Sequence, residues 1–316
     1  VDKYLKNKSV FMKNNIDNLD IISNNLELCD HSLAIILLTT MNNVRGSKQK
    51  NIHGYNMSAG IDVLTMVAKL TDARTFYEDI HGKERLKYTI NELTTGVYKS
   101  LFENLETVKH GASPEAGFKI SQLCLEQLSD KIYNITKYYT YSSSKKMIKT
   151  DVSTLNFKNK DLIKNRYSKL YRLEKEEMIK YIEEKFGSLC KLTLIMGWLL
   201  GGGDEKIIET LENLGTNLGY IMKIYYDFIN IEKDIENASK ITYNLIANIG
   251  VKESYILYIE NKTSFIEGCC LLDIYSNTTK EILDIFEEQI NDCLEKSNID
   301  LRSTYSSFSS FTPLKI

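Results

Sequence analysis

Two groups of acidic side chains are spaced to hold a hard divalent cation, which takes oxygen ligands and tolerates bound water. In residues 59–85, Asp62, Asp72 and Asp79 interrupt an otherwise apolar pattern. Thr75, Phe76 and Asp79 follow Asp72 by three, four and seven residues, so the four share a helix face. Two carboxylates on that face could bind Mg²⁺. The competing reading is a wet helix end, with Glu78 and Asp79 near Lys83 and Arg85. In residues 217–243, Asn230 and Asp234 follow Asp227 by three and seven. They would point an oxygen-rich strip into a cavity. Otherwise they belong to a surface helix laced with pairs such as Asn230 with Asp234 and Glu236 with Lys240.

Basic residues flank these acids. Lys223, Lys233 and Lys240 could meet a polyanion. Lys185 precedes a largely apolar run, and an ammonium at the rim of an apolar bundle suits a diphosphate whose tail reaches inward. Arg45 and Lys48 could add to the same patch, although each basic residue taken alone also reads as a solvated surface charge.

Such a site needs helices to carry it. The only prolines are Pro114 and Pro313, so long stretches can run as helix without a break. Spacings of three and four place helices over 15–43, 54–80, 89–108, 114–139 and 173–200, then from 204 through 236, with two or three more in 252–298. Residues 191–200 are apolar on nearly every face and belong in the middle of the core. Gly201, Gly202 and Gly203 read as a helix stop. Strand signals are scarce. The expected fold is all-α: one large helical bundle over residues 1–316, eight to ten helices in number, with 300–316 as a tail.

Composition narrows the function. The 316 residues carry 40 Lys and Arg against 42 Asp and Glu, a net charge of -2, which gives no basic footprint for nucleic acid. No apolar run is long enough to span a membrane, and the first residues are polar without a signal-peptide core, so a cytoplasmic location is expected. The six cysteines form no CxxC pair and read as buried small hydrophobes.

Residues 45–245 resemble the trans-isoprenyl diphosphate synthase (polyprenyl synthetase) family, and look most like its ComQ-like branch, which prenylates a bacterial pheromone peptide. The stretch AGIDVLTMVAKLTDARTF resembles the helix that ends in the family's first DDxxD motif, and LGYIMKIYYDFIN resembles the second. KFGSLCKLTLIMGWLLGGG is similar to the KTxxL segment, and RGSKQK to the early GKxxR element. Both aspartate motifs are degenerate. Only Asp72 remains of the first, while Tyr226, Asp227 and Asn230 stand in the second, and Lys223 stands where the family usually has Gln.

The resemblance implies an isoprenoid-synthase bundle that binds an isoprenyl diphosphate, its prenyl tail in an apolar shaft. It implies catalytic roles for Asp72, Asp227 and Lys185, and Mg²⁺ held by Asp72, Asp79, Asp227, Asn230 and Asp234. Substrate contacts would come from Arg45, Lys48 and Arg74, from Lys185, Lys223 and Lys240, and from Phe76. The missing carboxylates imply weak or altered prenyltransferase activity. The alternative is a non-catalytic homologue that serves as a partner subunit or binds a prenyl ligand. A homodimer, or a heterodimer with an active homologue, is implied, with a peptide as one conceivable acceptor.

Overall fold

The computed structural model of the chain describes residues 30–45, 54–72, 74–111, 113–137, 157–158, 160–238 and 241–295. Among them are twelve α-helices. They are α1 (Ser32–Arg45), α2 (Tyr55–Asp72), α3 (Arg74–His81), α4 (Lys83–Gly111), α5 (Pro114–Thr136) and α6 (Lys160–Tyr167). There follow α7 (Lys175–Ile182), α8 (Ser188–Leu200), α9 (Ile208–Asn237), α10 (Leu245–Ile249), α11 (Val251–Leu271) and α12 (Asn277–Glu295). The β-structure among the described residues is a single parallel bridge between Tyr171 and Ile241. The all-helical expectation therefore holds.

Helix α8 is the axis of the bundle. Its sequence is apolar on all sides and eleven of its thirteen residues are buried, which is how a helix behaves when neighbours surround it. It packs against α1, α5 and α9, and more lightly against α2. Helix α9 in turn carries α11 and α12 on its other side, and α2 packs against α4. The glycine stop works as the sequence suggests. The Gly201 N–H donates to the Gly197 carbonyl, and Gly202 takes a φ of 88°, which an L side chain rarely adopts. At the start of α5, Ser113 accepts from the Ala116 N–H at 3.3 Å and Pro114 fills the first helical position.

One long helix expected from the spacing is interrupted. The run over 173–200 contains a π-helical segment, Glu183–Gly187. The run over 54–80 is described as α2 and α3, on either side of residue 73, which lies outside the described residues. Near the end of α2, the Thr71 hydroxyl donates to the Val67 and Ala68 carbonyls. The π segment between α7 and α8, and the short α10, add to the expected helix number. The stretch over 15–29 and the tail over 300–316 lie outside the described residues.

Candidate functional site

The C-terminal end of α2 and the middle of α9 meet through one lysine. Lys223 is buried on α9, and its Nζ lies 2.6 Å from Asp227 Oδ1 and 3.5 Å from Asp72 Oδ2. Asp227 sits one turn further along α9, so the first contact is an i,i+4 pair. The second crosses between helices. The remaining oxygen of Asp227 accepts the Leu245 N–H at 2.7 Å. The remaining oxygen of Asp72 accepts from the Tyr181 hydroxyl. Asn244 completes the polar layer. Its amide donates to the Asp227 carbonyl and to Asp234 Oδ2, both at 2.8 Å, while its side-chain oxygen caps α10 through the Ala247 N–H.

The π segment brings a second lysine to the same place. One widened turn shifts the register of Lys185 and Phe186 relative to α7. Gly187 and Gly219 then permit a very close approach of this segment to α9. A Cβ on Gly219 would lie 2.7 Å from Gly187 Cα. Lys185 is fully buried and its ammonium donates to the Thr71 hydroxyl at 2.5 Å. The Lys223 ammonium also faces two rings, 5.4 Å from the centre of Phe186 and 5.7 Å from that of Tyr181.

The two lysines titrate in opposite directions. For Lys223, burial works against the charge, but Asp227, Asp72 and Asp234 outweigh it and hold the ammonium above its ordinary value. For Lys185, burial dominates and pulls it down to about 8; Asp72 opposes this, and the Lys223 and Lys137 charges add to it. Burial likewise raises the Asp227 carboxyl, against the Lys223 ammonium, and pushes the half-buried Asp234 up to about 6. Burial and the neighbouring Asp72 push the Tyr181 phenol well above its usual range, so it stays a donor.

A second polar group lies where the family-like motif carries Tyr226 in place of an acid. The Tyr226 hydroxyl donates to Asp30, and Lys69 stands 3.7 Å over the Tyr226 ring centre and 3.8 Å from Asp30. Next to Asp30, His31 meets the buried Asp62 at 2.8 Å. Asp62 is therefore a partnered core residue, its carboxyl raised by burial and pulled back by His31.

The residues singled out from the sequence divide unevenly. Asp72, Lys185, Lys223, Asp227 and Asp234 gather in one region. Asp79 does not join them. It is exposed on α3, while Asp72 is half-buried at the end of α2. Asn230 turns its amide back to the Tyr226 carbonyl at 3.0 Å. Arg45 ends α1, and Arg74 and Phe76 lie in α3. Lys48 and Lys240 fall outside the described residues. Sequence reasoning missed Thr71, Tyr181 and Asn244. Asn244 had a legible signal, as an Asn before the short apolar run LIANI. Tyr181 had none, because its role depends on the fold.

This donor set does not fit Mg²⁺ as it stands. A magnesium ion needs near-octahedral oxygen ligands. Here both Asp227 oxygens are engaged, one Asp72 oxygen holds Tyr181, Asp234 holds Asn244, and an ammonium lies between the two acids. Among the described residues, no three His, Cys, Asp or Glu side chains converge as a closed metal site requires. No described helix is long and apolar enough to cross a membrane.

No family model matches the chain, and no curated protein sequence does. Solved structures do match. The geranyltransferase of Helicobacter pylori 26695 superposes with a TM-score of 0.55 at 16% identity, over 92% of this chain and 93% of that one. A second structure, of the geranyltransferase from Helicobacter pylori complexed with magnesium and isoprenyl diphosphate, gives 0.56 at 15% identity, over 92% and 94%. The chain thus has the all-helical bundle fold of the isoprenoid synthases, the fold of the trans-isoprenyl diphosphate synthase superfamily. At this identity the likeness establishes the fold alone, and function must be argued from the site.

Proposed function

We propose that the chain is a catalytically silent member of the prenyltransferase fold, acting as a partner subunit for an active chain of the same fold. The observation that carries this reading is the Lys223 ammonium between Asp72 and Asp227. A metal-assisted ionisation of an allylic diphosphate needs acids whose oxygens are free to hold cations against a departing diphosphate. In this chain those oxygens serve the chain's own lysine, tyrosine and backbone. The aromatic side chains Tyr181 and Phe186 fill the space beside the lysines. A subunit role is further supported by exposed aromatics on the paired helices α4 and α5, which offer a face for a second chain.

The test is to offer the purified chain an allylic diphosphate, isopentenyl diphosphate and Mg²⁺, alone and after co-expression with an active prenyl diphosphate synthase from the same source. The expected result is no product from the lone chain and a two-chain particle on co-expression. Robust turnover by the lone chain would overturn the proposal. It would restore the direct reading, in which Asp72, Asp227 and Lys185 act on an isoprenyl diphosphate with Mg²⁺, and a peptide acceptor of the ComQ-like kind would then be the next substrate to try.

A further inference from the structure

We infer that Lys223 is a built-in counter-cation: its ammonium joins the acid of α2 to the acid of α9, the task a divalent ion would perform between two such helices, and the wild-type centre therefore takes no metal. The inference deepens the catalytically silent reading above and rests on it.

Three features of the geometry support it. First, the ammonium lies 2.6 Å from Asp227 Oδ1 and 3.5 Å from Asp72 Oδ2, so one cation holds two elements far apart in sequence. Second, the charge at the centre is nearly balanced. Asp72, Asp227 and Asp234 act on the Lys223 ammonium, and Asp72 also acts on that of Lys185. Replacing Lys223 by a neutral side chain would leave three carboxylates against the single ammonium of Lys185, an excess that suits a divalent ion. Third, the surrounding groups are arranged for an ammonium. The rings of Tyr181 and Phe186 present their faces to Lys223, which favours an organic cation and supplies no oxygen ligand. Magnesium is commonly held by one or two carboxylates with water completing its shell, so Asp72 and Asp227 would suffice once the lysine is gone.

The experiment uses manganese(II) as the probe, since it shares magnesium's preference for oxygen ligands and is read directly by electron paramagnetic resonance. Full-length wild-type chain, Lys223→Gln and Lys223→Arg are titrated with Mn²⁺, with melting temperature followed in parallel. Wild type and Lys223→Arg should show no saturable site and no metal-dependent shift in melting. Lys223→Gln should gain a site at least about tenfold tighter than any wild-type binding, and that site should vanish in Lys223→Gln with Asp227→Asn. If Lys223→Gln folds only in the presence of Mn²⁺, metal-dependent folding is the same positive result. A Lys223→Gln chain that folds and binds no Mn²⁺ overturns the inference. So does saturable binding by wild type that Asp227→Asn abolishes. Wild-type binding without prenyl turnover would sink the counter-cation and leave the silent-subunit proposal standing. Prenyl turnover by a wild-type chain with no saturable Mn²⁺ site would do the reverse.

Discussion

Lys185 and Lys223 share one buried volume, yet the difference between them lies in what each touches. Lys223 has two carboxylate contacts within salt-bridge range, whereas Lys185 donates to the neutral Thr71 hydroxyl. An ammonium whose burial outweighs the neighbouring carboxylates gives up its proton early, while one whose carboxylates outweigh its burial keeps it. This fixes the sign of a pH effect. The folded chain releases the Lys185 proton near pH 8, and the unfolded chain holds it until about 10.4. Between those values the unfolded state binds more protons, so stability from this group rises with pH, by at most about 1.4 kcal/mol per pH unit. Below pH 8 both states are protonated and the native state carries the cost of a buried charge. Denaturant midpoints of wild type and Lys185→Met at pH 8, 9 and 10 check this. The difference between the two should shrink or reverse in favour of wild type as pH rises, and parallel curves would refute the assignment. Lys223, held above its ordinary value, contributes no such rise.

The elements succeed in placing these side chains because two helices touch almost backbone to backbone. At Gly219 an added methyl would meet the Cα and N of Gly187, both at 2.7 Å, and backbone cannot swing away as a side chain does. Gly219→Ala should therefore cost about 1–3 kcal/mol through forced separation of α9 from the π segment. Gly60→Ala supplies the contrast. Its methyl would sit 3.5 Å from Val97 Cγ1 inside α2, an ordinary contact, and helix propensity should then make the variant more stable by up to about 1 kcal/mol. Urea unfolding of both variants measures the two signs. The same elements show what was legible in the sequence. Helical spacing and the absence of proline disclosed the all-α class, the central position of α8 and the glycine stop at its end, because those properties are local. The π segment places Lys185 against Thr71, more than a hundred residues away in sequence, and no local pattern discloses such a contact. Asp79 was assigned to the site by its spacing from Asp72, and it is exposed on α3 while Asp72 meets Lys223 and Tyr181. Lys223 was legible as a charge on an apolar helix; its place between two acids required the third dimension.

On the scale of the whole molecule, the polar centre and the outer surface point to one arrangement. Inner faces of α4 carry Leu86, Ile90, Leu93, Val97, Leu101 and Leu105 into the core. Its exposed side holds Tyr88 and Phe102, and α5, packed against it, exposes Phe118 (71%) and Tyr133 (69%). These exposed aromatics are the anchors that the proposed partner subunit would cover. Helix α12 is the opposite case. Its surface carries Asp284, Glu288, Asp292 and Glu295, with Glu287 paired to Lys262, an acidic face poorly suited to an apolar contact. A second chain should thus cover α4 and α5 and leave α12 in water. Phe102→Glu combined with Phe118→Glu places two charges in the apolar face without touching the core. The double variant should keep the wild-type melting curve in its monomeric form and lose the two-chain particle in sedimentation velocity, with or without the co-expressed partner. An unchanged particle would mean that assembly uses another surface. Loss of assembly in this variant, with no change on Lys223→Arg, would show that the subunit role resides in the outer helices and not in the lysine-bridged centre.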